Sequence, residues 1–158
     1  MRRALPLLLA VTLPTPALAA QDPIASYDDL GALEGQTLIG CIGDAAKALP
    51  PEQNLAKCDL AVIKLEGWID QPDRRRGDRV MADYLTYVVR FHQAGTLVAI
   101  DGRRSQRACE KVVEAFNGIN GLEKGSVDAE VGKEIDQSAD GMTASYEACG
   151  TDFPEPLK

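Results

Sequence analysis

The chain has 158 residues, with 17 basic and 24 acidic side chains, one histidine and a net charge of −7. That balance argues against nucleic acid and anionic membrane surfaces as partners, since their phosphates would repel it. It suits a cationic protein partner or metal ions, and it also keeps a free domain in solution.

Residues 1–19 read as an export signal. Arg2 and Arg3 form a basic start, residues 4–13 a short apolar run, and Ala17-Leu18-Ala19 a small-x-small cleavage site. The run is too short to span a bilayer. Cleavage after Ala19 leaves no cysteine at the new N-terminus, so no lipid anchor is expected. The signal is bacterial in style, which places the product in the periplasm or, second, the extracellular medium. Residues 20–158 then form one domain, with a net charge of −9 once Arg2 and Arg3 are gone. No later stretch is apolar enough to cross a membrane, so no membrane insertion is expected. Four cysteines in an oxidising compartment imply two disulfides.

After a tether at Gln21-Asp22-Pro23, Ser26-x-x-Asp29 is a capping box that starts a helix. Leu30, Leu33, Leu38, Cys41, Ile42, Ala45 and Leu49 give it an apolar face as far as Pro50-Pro51. Gly31, Gly35, Gly40 and Gly43 predict a close approach by another helix. A second helix starts behind Pro51, with Leu55, Cys58, Ala61, Val62, Leu65 and Ile69 inward. Cys41 stands nine residues before Pro50 and Cys58 seven after Pro51, similar heights in an antiparallel hairpin. The spacing therefore predicts Cys41–Cys58, and Cys109–Cys149 by elimination.

A polar loop with Arg74, Arg75 and Arg76 leads to Asp78, the expected N-cap of a third helix reaching Asp101. Its stripe is Val80, Tyr84, Val88, Phe91, Gly95 and Val98, widened by Met81, Tyr87 and Leu97. Arg103, Arg104 and Arg107 form a second basic cluster at its far end. One helix over 79–101 would span ~35 Å, so the two clusters cannot clamp one small anion. Both read as solvated loops. Ser105 caps a fourth helix carrying Ala108, Cys109, Val112, Val113 and Phe116, which Asn117-Gly118 should stop. Ser126 then caps a fifth helix, with Val127, Val131 and Ile135 inward. The same spacing resumes at Met142, Tyr146 and Cys149 after a bend at Asp140-Gly141, which would bring Cys149 within reach of Cys109. Residues 151–156 form a proline-rich tail. The expected architecture is all-α: about five helices in antiparallel hairpins, stapled by two disulfides.

Cys58-Asp-Leu-Ala-Val-Ile-Lys-Leu-Glu-Gly67 echoes Cys109-Glu-Lys-Val-Val-Glu-Ala-Phe-Asn-Gly118 at an offset of 51 residues. With Ala94-Gly95, Gly102-Arg103 and Ala108, the stretch 54–117 resembles degenerate tetratricopeptide-like repeats of exported bacterial proteins. The resemblance implies a protein-binding scaffold rather than an enzyme.

Catalytic constellations are sparse. His92 lies at the edge of an apolar helix face, and no serine or cysteine nucleophile is marked for it. One metal-site candidate stands out, Asp136-Gln-Ser-Ala-Asp-Gly-Met-Thr-Ala-Ser-Tyr-Glu147, which resembles an EF-hand loop. Asp136, Ser138 and Asp140 would offer side-chain oxygens, Gly141 the sharp turn, Met142 its carbonyl and Glu147 a bidentate carboxylate to calcium. The expectation is therefore an exported, non-enzymatic helical binding protein without a cofactor (scaffold, inhibitor or immunity-type partner). The alternative is a weak calcium-binding module.

Overall fold

A computed structural model describes residues 24–152; the expected export signal and cleavage point, the expected 21–23 tether and the residues beyond Asp152 lie outside them. The described residues form six α-helices: α1 (Tyr27–Thr37), α2 (Asp44–Lys47), α3 (Pro51–Ile69), α4 (Arg76–Asp101), α5 (Gln106–Asn120) and α6 (Ala129–Asp152). The fold is all-α and stapled by Cys41–Cys58 and Cys109–Cys149, the pairing expected from the spacing.

The centre is α4. It packs against α3 on one flank and α5 on the other, and α6 closes over α5. Two packing flanks explain why a single stripe misjudges this helix. Leu85, Thr86, Val89 and Gln93 are buried along with Val80, Met81, Tyr84 and Leu97, whereas Val98 is 37% exposed and Gly95 is open to solvent. The main core gathers Leu30, Leu33, Cys41, Cys58, Leu65, Met81, Leu85, Val89, Ile119, Val131 and Ile135. A smaller cluster of Ala94, Leu97, Ala108, Cys109, Val112 and Cys149 surrounds the second disulfide, and Phe91 touches both.

Several boundaries differ from the sequence expectation. The first helix is not continuous to Leu49. It ends at Thr37, a turn holds Cys41, and α2 is a single turn of helix. Cys41 thus reaches Cys58 from a turn rather than from a hairpin helix, at a Cα separation of 4.7 Å. Gly31, Gly35 and Gly40 face solvent, and a Cβ on any of them would meet nothing within 4 Å. They mark no helix crossing. Close approach occurs instead at Gly77, where a Cβ would overlap the Ser126 carbonyl, and at Gly118, where it would overlap the Tyr87 ring. Tyr87 covers Gly118 inside α5, and the helix runs on to Asn120 instead of stopping at Asn117-Gly118.

Asp78 is not the N-cap of α4. The helix starts three residues earlier behind Arg75, and the Asp78 carboxylate accepts the Arg75 backbone N–H at 3.3 Å. All three arginines here find partners, Arg74 and Arg75 from half-buried positions and Arg76 on the surface. Arg75 donates to Asp78 at 2.5 Å and lies 3.2 Å from Asp29, Arg76 pairs with Glu123, and Arg74 lies 4.1 Å above the Trp68 ring. At the other end Arg107 pairs with Asp101 at 3.3 Å.

The Ser26 and Ser105 caps form as expected, with Oγ accepting from Asp29 N at 3.4 Å and Ala108 N at 3.1 Å. Ser126 does not cap the last helix. Asp128 does, accepting Val131 N at 2.9 Å and Tyr27 N at 3.0 Å, beside a one-residue parallel bridge between Ala25 and Val127.

The expected bend at Asp140-Gly141 is absent, and α6 is helical throughout. The height difference between Cys109 and the start of α6 is taken up by the connection before the helix. Tyr87 contacts Gly118 near the end of α5, and Gly77 contacts Ser126 just before α6, so the connection descends ten residues of α4. That is ~15 Å at 1.5 Å per residue. An unbroken α6 can then rise to bring Cys149 beside Cys109, at a Cα separation of 5.4 Å.

Candidate functional site

The clearest concavity lies beside the first disulfide. Between α2, the start of α3 and the second half of α4 runs an open groove of about 550 Å³. Ile42, Leu49, Val88 and Phe91 give it apolar walls, and Gly95 leaves one wall without a side chain. Asn54, His92, Thr96 and Lys47 supply its polar groups.

Asn54 builds the polar part. It occupies the inward face of α3, four residues before Cys58, and is 5% exposed. Its Nδ2 donates to the Cys41 carbonyl at 2.9 Å, a backbone acceptor in the turn before α2, and to the Ala46 carbonyl at 3.3 Å, which also accepts the Leu49 N–H at 3.1 Å. Those two acceptors fix the orientation of the amide. Its Oδ1 accepts from Thr96 Oγ1 at 3.0 Å and faces His92 Nε2 at 3.2 Å. An amide oxygen only accepts, so Nε2 carries the ring proton and Nδ1 keeps its lone pair.

Burial, and then the Lys47 ammonium, hold the imidazole below its ordinary value of 6.5. His92 is therefore neutral at pH 7, a hydrogen-bonding group rather than a charge. The Cys41 and Cys58 sulfurs and a His92 ring nitrogen lie within 4.8 Å of one another, ligand-like spacing. The sulfurs are bonded to each other, so they offer no thiolate to a metal and no nucleophile to the imidazole. What the arrangement can do is enclose an apolar side chain and offer a polar backbone a neutral imidazole, beside an ammonium that Asp44 already holds at 2.8 Å.

A second, smaller cavity of about 250 Å³ lies against the Cys109–Cys149 disulfide, between α4, α5 and α6, and shares Phe91 and Gly95 with the groove. A third, polar depression between α1 and the start of α4 is lined by Arg74, Arg75, Asp29 and Asp78, which are largely engaged with one another.

The calcium-ligand candidates do not converge. Residues 136–147 are helical throughout, where a calcium loop must curve around its ion. Asp136, Asp140 and Glu147 share one exposed helix face, but the first and last are eleven residues apart, ~16 Å along the axis. Lys124 pairs with Asp136, Ser138 Oγ lies 2.9 Å from the Tyr84 hydroxyl, and Met142 is buried in the core. The Met142 carbonyl belongs to the helix interior.

Asn54, Thr96, Lys47 and Gly95 carry the groove, and sequence reasoning missed them. Asn54 left a signal: a polar side chain at an inward position of an apolar face requires partners. The chain matches no protein-family model, no curated protein and no solved structure.

Proposed function

We propose that the chain is an exported, non-enzymatic binding protein of the periplasm, and that its groove receives an apolar segment of a protein partner. The observation that carries this reading is the groove itself, apolar-walled, open, and held in shape by a disulfide and the four hydrogen bonds of Asn54. Binding clefts commonly combine apolar walls with a few fixed polar groups. The two disulfides, and the absence among the described residues of any helix long and apolar enough to cross a membrane, are compatible with export. The acidic balance of the chain favours a partner with basic residues flanking the apolar segment. The resemblance to tetratricopeptide-like repeats favours a scaffold, inhibitor or immunity-type role.

Gly95 provides the test. A Cβ there would meet nothing within 4 Å, so a side chain can be added to this wall of the groove without overlap at its root. Immobilised wild type and Gly95→Phe are compared against periplasmic extract of the cells that make the protein. The reading expects a protein retained by the wild type and lost with Gly95→Phe at an unchanged or higher melting temperature. Equal retention by both would refute groove binding.

A further inference from the structure

The outer face of α3 carries the pattern of a two-stranded coiled coil. Ala56, Leu60, Ile63 and Gly67 alternate four and three residues apart and are all exposed, Leu60 by 53% and Ile63 by 62%. These are a and d positions of a heptad, on the face opposite the buried Cys58, Ala61 and Leu65. The charges beside them are sorted by sign. One edge holds Glu52, Asp59 and Glu66, the g positions; the other holds Lys57 and Lys64, the e positions, all exposed. Among the described residues neither lysine takes part in an ion pair; on the acidic edge Asp59 accepts from Gln93 Nε2 at 2.7 Å and Glu66 lies 3.4 Å from Arg90, both on the α4 side.

We infer that this face binds a second copy of the chain, α3 beside α3 in parallel about a two-fold axis. In that arrangement each g position meets the e position five residues on in the partner. Glu52 meets the partner's Lys57, and Asp59 meets the partner's Lys64. The symmetry repeats both pairs, giving four opposite-charge contacts around Leu60 and Ile63 packed on their own copies. An antiparallel pair would instead set acidic edge on acidic edge and basic on basic. Charge therefore selects the parallel partner. The site differs from the groove, because Asn54 points inward from the other side of α3. Nineteen residues of α3 offer little more than two heptads, which places the contact among small, transient interfaces. A dissociation constant on the order of 100 µM is expected.

Sedimentation velocity of the mature chain up to about 1 mM measures it, a range set by that expectation. The wild type should shift to dimer. Leu60→Asp should raise the dissociation constant at least tenfold with unchanged melting, since Leu60 makes little of the monomer's core. Lys57→Glu should weaken the dimer, and adding Glu52→Lys should restore it by exchanging the two signs. Orientation is read by Gln53→Cys, an exposed a position and the one unpaired thiol such a chain would hold. Parallel packing sets position 53 against its own copy and predicts rapid oxidative cross-linking. Antiparallel packing would separate the two thiols by ~25 Å. A chain that stays monomeric at that concentration, a dimer indifferent to Leu60→Asp, or a dimer that does not cross-link through position 53 would each overturn the inference.

Discussion

The single side chain with most depending on it is Asn54. It satisfies two backbone carbonyls and positions both His92 and Thr96 from a nearly dry location. Asn54→Ala would leave the Cys41 carbonyl unpaired at a buried site and take from Ala46, Thr96 and His92 the partner that ties them together. The expected cost is about 2–4 kcal/mol, read as a lower denaturation midpoint with an unchanged slope. His92 supplies a pH-dependent term of definite sign. Its folded-state affinity for a proton lies below that of the unfolded chain, whose imidazole titrates near 6.5. Its contribution is fully present above that value and is lost as the pH falls through and below it, because the unfolded chain then takes up the proton first. Asp29 and Asp44, held low by hydrogen bonds from Ser26 and from Lys47, lose their contributions only at lower pH, in the carboxylate range. Wild type should therefore lose more stability than His92→Gln between about pH 7.5 and pH 5.5, measured by denaturant unfolding. Parallel losses in the two chains would contradict the buried, neutral imidazole.

At the scale of elements, α6 separates two readings of the same residues. In a continuous helix Gly141 is a weak point, and a Cβ there would meet nothing within 4 Å. Gly141→Ala should stabilise the protein, by up to ~1 kcal/mol. The sharp turn of a calcium loop would make the same change destabilising. Melting curves in about 10 mM calcium and in chelator should coincide for the helical segment, whereas a loop of millimolar affinity would melt higher with calcium. The disulfides close loops of 17 and 40 residues. Chain entropy then predicts losses of about 3 and 4 kcal/mol when each is removed as a Cys→Ala pair. Of the two, removing Cys41–Cys58 should also loosen the groove, because that bond and the Asn54 amide together tie the turn before α2 and α2 itself to α3.

Much of this layer was legible in the sequence. Periodicity located the helices from Pro51 onward, the proline pair marked the start of α3, and the placement of cysteines about that pair identified the first disulfide. Periodicity could not show that α4 has two buried flanks, because it reports one face at a time. Nor could residue spacing reveal that the 121–128 connection travels along α4, so a bend was inferred where α6 is continuous. Asp136, Asp140 and Gly141 match a calcium loop as letters. The pattern does not say whether the backbone between them curves or coils. The groove residues were hidden for a related reason: Asn54, Thr96 and Lys47 come from three helices, and only packing brings them together.

Across the described residues α3 has two opposed uses. Its inner face builds the core and, through Asn54, the groove. Its outer face presents Leu60 and Ile63 between an acidic and a basic edge. A dimer formed there leaves both grooves open, so a partner with two apolar segments would gain in avidity. The central claim, that the groove is a binding site, is tested most directly by quantitative capture with wild type and Gly95→Phe from the same periplasmic extract. The account predicts at least a tenfold drop in the retained partner, with the variant melting no lower than the wild type. Retention that survives the filled groove, in a variant that is folded, would contradict it.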